Sequence, residues 1–599
     1  MGAPKFVNTC VLVKGLDQTS SATIAVFTDV PQPSTSDTYT DTDQKNLDQT
    51  TSAAVALFTN VVQPSTSGTY TDRGHKNLVT VSVQTPLKLS ENSPRKRRWR
   101  GKVQFLKRKV KQIQSREDAR KKCEVAVSDD SFIKFCETHF TQATANLFKL
   151  HLKLANRNEH GYRYSNEFKQ FALTTYFLGP KVYRFLSSSL RLPSKSTLCR
   201  ITNKWNIAAG LSEFVCKVVE AKIATVNEEA KDCILCIDEM TLKTFLFYHR
   251  SKDTIIGFHE TIQRSYVPAN NALVLMIRGV NVNWKQPFAY FFTCSSCPVN
   301  DLKIIIFNAI NKLIQIGFNV LALVSDQGTN FIRFSKNVGV SEASPYFTVN
   351  NRKIFYIFDT PHLLKSTRNN FLLHKFVIKE GTTDKKYIVD FYNQDKKQSF
   401  RLAPSLSDAH LSPNNFQKMK VKLAAQILSA SVAAALNTYI ALNFLPAAAM
   451  ATATFISKID NLFDVLNSQS FSSTKILNRP FKGDKSQMKV LDEMLELFRN
   501  LTILNENGVD VTKKMNFING WRITITSILA LWELMKNKGM KYLCTRRLNQ
   551  DALENFFGTI RQQGGNCLNP TPIQFARAFK KLFCLNYFHC SKTQIVSVI

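Results

Sequence analysis

The spacing of hydrophobic and polar residues divides the chain into regions of helical and strand-like periodicity. Between residues 164 and 205 apolar side chains recur at helical spacing, and the pattern breaks at Gly179 and Pro180 and again near Pro193. Ser194 or Ser196 could cap the last helix of this stretch. Short helices with tight breaks fit a helix-turn-helix, and a plain helical bundle fits the pattern nearly as well. We therefore predict a helical region over residues 124–225, with a helix-turn-helix as its candidate function.

From residue 226 onward the apolar residues follow a strand-like pattern. Four apolar runs bounded by turns come first, namely CILCID, LFYHRSKDTIIGFH, ALVLMIRGVNVN and FAYFFT. A helical pattern over 301–318 follows, and then a fifth apolar run, VLALVSD, which ends at Asp326. Several strands, a helix and another strand predict a mixed sheet covered by helices. The fold class that we expect is therefore α/β with additional all-α regions.

An alanine-rich stretch at 424–456 is the one segment that suggests a membrane span. It is interrupted by polar residues and a proline, namely Gln426, Asn437, Asn443 and Pro446. Membrane helices are usually richer in leucine and poorer in such residues. We interpret the stretch as buried helices and expect no membrane partner.

The first 123 residues have a different composition from the rest of the chain. Residues 1–93 are rich in Ser and Thr, carry a 31-residue tandem repeat, and contain six Lys or Arg against eight Asp or Glu. This composition is typical of a disordered tail. Residues 94–123 instead contain fourteen Lys or Arg and two acids. The basic segment is either a solvated linker or, as we favour, a nuclear localisation signal that also contacts DNA phosphates through Arg95, Lys96, Arg97, Arg98 and Arg100.

Overall charge favours a polyanionic partner. The chain has a formal net charge of +34 and a sequence pI of about 9.7. Such an excess predicts nucleic acid before a membrane surface. The thirteen cysteines are scattered and the N-terminal MGAPKFVNTC lacks an apolar signal core. We expect reduced thiols and a nuclear protein.

Two acids stand at the ends of apolar runs, and a third group of acids shares a helical face. Asp238 follows CILCI and Asp326 follows VLALVS, while Asp551 and Glu554 are spaced by three in NQDALENFFG. Strand-end acids on one sheet can converge on Mg²⁺ or Mn²⁺, which prefer oxygen ligands. Most strand-end acids are simply solvated, so this pattern alone is weak.

Two C-x-x-C pairs offer an alternative metal chemistry. Cys233 and Cys236 lie in a predicted strand, where they point to opposite faces, whereas Cys294 and Cys297 lie in a plausible turn. Paired motifs of this kind often bind zinc. Because the first pair lies within an apolar run, where cysteine is commonly a small buried side chain, we expect no zinc.

Five long motifs resemble the P element transposase family and the related THAP-domain transposases. They are CIDEMTLKTFLFYHRSKDTIIGFHE, LALVSDQGTNF, FDTPHLLKSTRNN, LSDAHLSPNNFQKMKVKLAAQILSASVAAALNTY and TRRLNQDALENFFGTIRQQGGNCLNPTPIQFARAF. The helical YSNEFKQFALTTYFLGPKVYRFL is similar to the family's helix-turn-helix region. The similarity spans roughly residues 160–590.

The resemblance implies an RNase H-like catalytic domain that is interrupted by a helical GTP-binding insertion. It implies that Asp238, Asp326 and Glu554 are the catalytic triad holding Mg²⁺. It implies a set of residues around GTP, namely Lys420, Val421, Ser429, Asp464, Asn467 and Asp551. The layout that follows is a tail at 1–93, a basic segment at 94–123, a helical region at 124–225, catalytic parts at 226–340 and 541–599, and the insertion at 341–540. The insertion has no Walker A motif, so the GTP prediction rests on the resemblance alone.

The sequence departs from the family at both ends. Residues 1–93 contain only Cys10 and cannot form the family's C2CH zinc module, and the chain ends at Ile599, soon after the Glu554 motif. Our first hypothesis is a Mg²⁺-dependent transposase that acts on double-stranded DNA, with GTP assisting assembly of a homo-oligomer. The alternative is a domesticated or truncated derivative that binds DNA as a repressor, and a structural zinc protein is a third class.

Overall fold

The computed structural model describes residues 94–123, 129–155, 162–250 and 252–590, so the predicted tail at 1–93 lies outside the described residues. The chain divides into two compact units, Met1–Glu117 and Asp118–Ile599. Helix α1, Pro94–Cys123, contains the described residues of the first unit. On it Arg97, Arg98 and Arg100 are exposed, whereas the side chains of Arg95 and Lys96 lie outside the described part.

The second unit begins with helices whose ends follow the breaks in the sequence pattern. They are α2 Asp129–His139, α3 Gln142–Ala155, α4 Asn166–Leu178, α5 Pro180–Ser189, α6 Lys195–Asn203 and α7 Glu213–Ile223. Gly179 and Pro180 separate α4 from α5, with the proline at the first helical position where its missing N–H costs nothing. Ser194 caps α6 by accepting a hydrogen bond from the backbone N–H of Thr197 at 3.3 Å. Of the two serines, Ser194 is therefore the cap.

An eight-stranded mixed sheet forms the centre of the second unit. Its strands lie in the order β5-β4-β7-β6-β1-β8-β10-β9, and a separate hairpin is formed by β2 and β3. The strands are β1 Asp232–Thr241, β2 Phe247–His249, β3 Thr254–Ile256, β4 Phe258–Glu260, β5 Arg264–Pro268, β6 Asn271–Gly279, β7 Lys285–Thr293, β8 Asn319–Ser325, β9 Tyr346–Val349 and β10 Arg352–Phe358. Strands β1, β8 and β10 are parallel neighbours, while β6 pairs with β1 in the antiparallel direction. The carboxyl ends of the three parallel strands therefore share one edge.

Helices cover this sheet, and its central strands are mostly buried and apolar, with charged residues near their ends. Helix α8, Val299–Ile316, packs against β8 through a stripe of buried residues, Leu302, Ile305, Ile306, Ala309, Ile310 and Leu313. The helix ends at Gly317, whose φ of 107° is a left-handed conformation that glycine adopts without steric cost. Helices α9 Thr329–Asn337 and α10 Thr360–Phe371 follow β8 and β10. The predicted mixed sheet with helical cover is thus confirmed.

The insertion contains helices and a small sheet. Its strands β11 Lys375–Ile378, β12 Gly381–Thr382 and β13 Thr502–Leu504 pair in the order β12-β11-β13. The helices from here to the end of the described chain are α11 Lys385–Asp395, α12 Asp408–Leu411, α13 Asn415–Lys418, α14 Val421–Ile427, α15 Ala430–Ala441, α16 Met450–Leu466, α17 Lys485–Asn500, α18 Asn516–Asn537, α19 Asp551–Gln563 and α20 Pro572–Cys590. The two ends of the insertion meet through β11 and β13.

Both predicted limits of the insertion need correction. Strands β9 and β10 belong to the main sheet, so the catalytic domain continues past residue 340 to the start of α10. At the other end, α18 packs against β10, and the hydroxyl of Thr524 accepts from Phe358 N at 3.0 Å and donates to Phe358 O at 3.2 Å. The physical reason is that β10 has an open face that α18 covers, so residues 516–537 are part of the cover of the sheet.

The alanine-rich stretch forms α14, α15 and α16. Among the described residues Val421–Ala441 is apolar and long enough to cross a membrane by composition, and 44% of its most apolar window is buried. The segment Val421–Ala441 forms two helices, α14 and α15, because Leu428 and Ser429 interrupt it. Small buried residues at 433, 435, 451 and 453 allow α15 and α16 to pack closely. This arrangement is that of helices packed within a protein core.

Candidate active site

Asp238 and Asp326 stand at equivalent positions on two adjacent parallel strands. The paired register of β1 and β8 ends with Cys236 opposite Val324, and each acid lies two residues further along the chain. Neighbouring strands are about 4.8 Å apart, so the two carboxylates enter the same region from one edge of the sheet. The chain order that brings them there is strand β1, the six strands β2 to β7, helix α8 and strand β8.

The two carboxylates are close enough to perturb each other. Burial and repulsion by Asp326 together raise the pKa of Asp238 to about 8, although His362 and a hydrogen bond from Glu239 N at 2.7 Å oppose the rise. An acid with this pKa retains its proton at neutral pH unless a cation replaces it. The carboxylates of Asp238 and Asp326 are therefore only partly compensated by neighbouring positive charge.

Asp326 is fixed by the turn that follows it. Its Oδ1 accepts from Gly328 N at 2.9 Å, at the start of α9. A Cβ at position 328 would lie 2.9 Å from Asn330 Oδ1 and 3.1 Å from Asp326 Oδ1, so the turn has no space for a side chain. The glycine thus lets the backbone close around the Asp326 carboxylate.

Glu554 reaches the same place from the first turn of α19. The segment before that helix is tied to the sheet by Gln550, whose side-chain amide donates to Ile237 O at 2.6 Å. The backbone N–H of Gln550 donates to Asp359 Oδ1 at 2.7 Å. Gln550 is fully buried, so these bonds fix the start of α19 beside the residue that precedes Asp238.

His362 joins Glu554 to Asp326, and the sequence analysis did not single it out. Its Nε2 lies 3.0 Å from Glu554 Oε1 and its Nδ1 lies 3.8 Å from Asp326 Oδ2. Burial lowers the pKa of His362, but the hydrogen bond to Glu554 and the nearby acids outweigh burial, so the pKa is raised overall. The same bond lowers the pKa of Glu554. The imidazole of His362 is thus a partner of two of the three acids, which favour its protonated form.

Asp359 is the second residue that the sequence analysis missed. It follows β10 as Asp326 follows β8, and its Oδ2 caps α10 by accepting from His362 N at 2.9 Å. With its other oxygen on Gln550 N, this buried carboxylate holds the starts of α10 and α19 together. The available signal was the apolar run RKIFYIF, which ends in an acid as do the two runs that carry Asp238 and Asp326.

Glu239 makes a separate set of contacts, although it is adjacent to Asp238. Its Oε1 accepts from Cys297 N at 2.8 Å and from Asn330 Nδ2 at 3.1 Å. Burial raises its pKa, and those hydrogen bonds oppose the rise. Glu239 therefore serves as a partly buried acceptor for the loop before α8 and for the first turn of α9.

The donor set at the strand ends suits a hard divalent cation. Asp238, Asp326 and Glu554 supply oxygen atoms, and the like-charged aspartates raise the pKa of Asp238. Within the described ranges, no three His, Cys, Asp or Glu side chains are grouped tightly enough to hold a metal ion as they stand. The residues fit Mg²⁺ or Mn²⁺ in chemistry, and the assignment of the triad as metal ligands stays a prediction.

Three of the predicted nucleotide residues lie in one neighbourhood. Asp464 Oδ2 accepts from Lys475 Nζ at 2.7 Å, near the end of α16. Asn467 Oδ1 accepts from Asn549 Nδ2 at 3.4 Å, and Asp551 Oδ2 accepts from Arg546 Nε at 3.1 Å. Residues 549–551 thus lie between the end of α16 and the sheet.

The other predicted nucleotide residues make local contacts. Lys420 is exposed at the start of α14, next to Val421. Ser429 caps α15 by accepting from Val432 N, and its hydroxyl donates to Gln426 O at 2.8 Å. In the described part of the chain no hydrogen bond or ion pair joins these residues to Asp464, so a shared site stays a prediction.

The cysteine pairs are packed within the sheet region. Cys233, Cys236 and Cys297 are buried, and Cys294 is partly exposed. Cys236 Sγ lies 3.8 Å from Asn549 O, on the side of β1 that α19 covers. Burial raises the pKa of the Cys236 thiol to about 12, which suits a packing role.

Four models of transposase domains match the chain in order. They are the P element transposase-like HTH domain at 126–201, the TNP-like RNase H N-terminal domain at 207–339, the TNP-like GTP-binding insertion domain at 361–480 and the TNP-like RNase H C-terminal domain at 547–580. The start of the insertion model at 361 agrees with the position of α10 after the main sheet.

Characterised relatives and a solved structure agree with these models. The chain is 30% identical over 417 residues to the transposable element P transposase of Drosophila melanogaster, covering 68% of this chain and 52% of the relative. It is 26% identical over 445 residues to the human DNA transposase THAP9, covering 70% and 48%. It matches the structure of the Drosophila P element transposase strand transfer complex with a TM-score of 0.66 and 26% identity, covering 78% of this chain and all of that chain. The chain spans about half the length of the two relatives.

Proposed function

Because the chain belongs to the P element transposase-like family, with helix-turn-helix, RNase H-like and GTP-binding insertion domains, we propose that it cleaves DNA and transfers the cut strand. The observation that carries this proposal is the convergence of Asp238, Asp326 and Glu554, from three distant segments, at one edge of the sheet. The proposed ligand is Mg²⁺ or Mn²⁺ held by these three carboxylates. When bound, such ions activate an attacking oxygen and stabilise the charge on the leaving oxygen.

The surrounding residues prepare this site. Asp238 keeps a proton while no cation is bound, because its pKa is raised to about 8. His362 Nε2 donates to Glu554 Oε1 at 3.0 Å and so holds that carboxylate next to Asp326. Gln550 and Asp359 fix the start of α19, so the position of Glu554 is set by buried hydrogen bonds.

The remaining parts of the chain supply substrate binding in this proposal. The exposed arginines of α1 and the helix-turn-helix region contact DNA phosphates, whose charge the net +34 of the chain complements. GTP is bound by Lys420, Val421, Ser429, Asp464, Asn467 and Asp551 and supports assembly of a homo-oligomer on DNA. A protein with this substrate would work in the nucleus.

A metal-dependent cleavage assay tests the catalytic proposal. Purified protein is incubated with DNA that flanks its own gene, with Mg²⁺, Mn²⁺ or EDTA, and Asp238→Asn serves as the control variant. We expect nicking or joining with either metal and none with EDTA or the variant. Cleavage that survives Asp238→Asn would refute the triad, and DNA binding without cleavage would favour a non-transposing DNA-binding repressor.

Nucleotide titration tests the cofactor proposal independently. We expect GTP to bind the wild type and to bind more weakly to Asp464→Ala, because the carboxylate that reads the guanine edge is lost. Isothermal titration calorimetry with ATP as the competing nucleotide measures both affinity and selectivity. Absence of GTP binding by the wild type would remove the cofactor and leave the cleavage proposal untouched.

A further inference from the structure

A cavity of about 620 Å³ lies beside the start of α19. Its walls come from the hairpin between β6 and β7, from residues 544–547 and from the first turns of α19. Three arginines, one lysine and one acid line it; these residues are Arg278, Arg546, Arg547, Lys285 and Asp551. The cavity is thus polar and predominantly basic.

Two of the three guanidinium groups are held by neutral oxygen atoms. Arg278 Nη1 donates to Asn549 O at 3.2 Å and to Asn549 Oδ1 at 3.1 Å. Arg547 Nη1 donates to Val280 O at 2.7 Å and also to Asn281 O. Backbone carbonyls orient these groups and leave their charge in place.

The third arginine has the one carboxylate partner in this cluster. Arg546 Nε lies 3.1 Å from Asp551 Oδ2. Among the described residues no acid lies within ion-pair distance of Arg278 or Arg547, so three guanidinium groups share a single carboxylate. Burial lowers the pKa of Arg278, and Arg547 and Arg546 lower it further, in keeping with like charges held close together.

A purely structural role for the arginines accounts for only part of this arrangement. Hydrogen bonds to Val280 O and Asn549 O would fix the hairpin and the segment before α19, and a neutral amide could make the same bonds. Three mutually repelling cations around an open cavity instead suit an oxyanion, which guanidinium groups bind through paired N–H donors.

The cavity lies on the same face of the sheet as the proposed catalytic acids. Arg278 is opposite Ile234 in the β1–β6 ladder, four residues before Asp238, and side chains four apart on a strand share a face. The separation along the strand is about 14 Å at about 3.4 Å per residue. A phosphate in the cavity could therefore belong to the same ligand assembly as the acid site without occupying it.

We propose that Arg278, Arg546 and Arg547 form a phosphate-binding pocket, which takes a phosphate group of either the nucleotide or the DNA backbone. The phosphate chemistry follows from the cavity itself, and only the source of the phosphate rests on the proposed function. Asp551 at the rim and the neighbouring Gln469, which contacts Arg546, limit the pocket on the insertion side.

Two charge-removing variants and a matched control test the pocket. The variant Arg547→Gln removes one guanidinium group, and the double variant, which adds Arg546→Gln, removes two. The control, Arg352→Gln, removes an exposed arginine of β10 outside the cavity. The probes are inorganic tripolyphosphate, GTP and a fluorescent DNA duplex, each titrated in EDTA so that cleavage plays no part. We expect at least one probe to bind about tenfold more weakly for each group removed, because charge-assisted hydrogen bonds are lost.

The three probes distinguish the source of the phosphate. Weaker GTP and tripolyphosphate binding with unchanged DNA binding assigns the pocket to the nucleotide. A fall in the salt dependence of DNA binding, by about 0.9 in log–log slope per lost contact, assigns it to the DNA backbone. If the double variant binds all three probes as well as Arg352→Gln does, the proposal is wrong.

Chemical protection of the wild type provides a test that needs no folded variant. Phenylglyoxal modifies accessible arginines, and peptide mass spectrometry locates the modified sites. We expect tripolyphosphate or DNA to protect Arg546 and Arg547 and to leave Arg352 reactive. Equal modification with and without both ligands would overturn the pocket, whereas loss of DNA cleavage with protection intact would contradict the catalytic proposal alone.

Discussion

Two pairs of aspartates in this protein differ in the positive charge that neighbouring side chains place beside them. Asp238 and Asp326 converge at the strand ends, where burial and mutual repulsion raise the pKa of Asp238 to about 8. Asp460 and Asp464 are neighbours on one side of the last turns of α16. Lys475 Nζ lies 2.8 Å from Asp460 Oδ2 and 2.7 Å from Asp464 Oδ2. The protein supplies a full cation to the pair in the insertion and only the imidazole of His362 to the pair at the sheet.

This difference in neighbouring positive charge indicates which acids are available to bind an external cation. A carboxylate pair that already contacts a lysine gains little from a metal ion. A pair whose repulsion is only partly relieved gains more, because a divalent cation removes the repulsion and restores the ionised form of Asp238.

The largest effect should come from replacing Asp238. We expect Asp238→Ala to lower metal-dependent DNA nicking about a hundredfold or more, because a proposed ligand of the reacting centre is lost. Its thermal stability should not fall, since the change also removes a buried carboxyl group whose ionised form Asp326 repels. Supercoiled-plasmid nicking and thermal unfolding provide the two measurements.

Glu239→Ala is the matched control for that variant. The neighbouring carboxylate accepts from Cys297 N and Asn330 Nδ2, so its removal leaves two buried donors without an acceptor. We expect a stability loss of about 1–3 kcal/mol with most nicking activity retained at low temperature. Equal loss of nicking in both variants would mean that the two acids do not differ in role.

Asp359→Ala should have the next largest effect, on stability. Its buried carboxylate joins the starts of α10 and α19, and alanine leaves the N–H groups of His362 and Gln550 unpaired. The cost should be about 2–5 kcal/mol, and Asp359→Asn, which keeps one acceptor oxygen, should lose about half of that. Urea unfolding of the two variants gives the comparison, and an alanine variant as stable as the asparagine variant would exclude the clamp.

Local sequence patterns predicted the parts of the fold that local chemistry determines. The break at Gly179, the cap at Ser194 and the strands that carry the apolar runs before Asp238 and Asp326 all follow from periodicity and from the preferences of single residues. The run LFYHRSKDTIIGFH was predicted as a strand-like element; most of it forms the separate hairpin β2–β3, and its last two residues begin β4 of the main sheet. Its polar centre suits a turn, and the pattern carries no information on which sheet such a hairpin joins.

The contacts that complete the site were beyond such patterns. Gln550 bonds to Ile237 across 313 residues, and His362 meets Glu554 across 192 residues. Pairings at this separation depend on how helices cover the sheet, which periodicity does not specify. Asp359 was within reach, because β10 repeats the pattern of an apolar run ending in an acid, and it was missed since that run was assigned to the insertion.

The pH dependence of stability should differ between wild type and Asp238→Asn when no metal is present. The pKa of Asp238 is raised from 3.8 to about 8, so the folded state holds a proton that the unfolded state has released across this window. The resulting stability is fully present below the lower value and is lost as the pH rises through the upper one. Urea unfolding in EDTA at several pH values should show a smaller decline for the variant, and equal declines would contradict the raised pKa.

The smallest effect should come from Lys475, which completes the other pair. Lys475→Met leaves Asp460 and Asp464 repelling each other, and because about half of the lysine side chain is exposed we expect a loss of only about 1–2 kcal/mol. Lys489→Met, which removes an exposed pair with Glu493, should cost about 0.3–0.5 kcal/mol and serves as the control. Urea unfolding measures both. The last measurement is the gain in stability that Mg²⁺ gives to Lys475→Met, compared with the gain that it gives to the wild type through the strand-end site. Equal gains would mean that Asp460 and Asp464 bind cations as well as Asp238 and Asp326 do, and the contrast between the two regions would disappear.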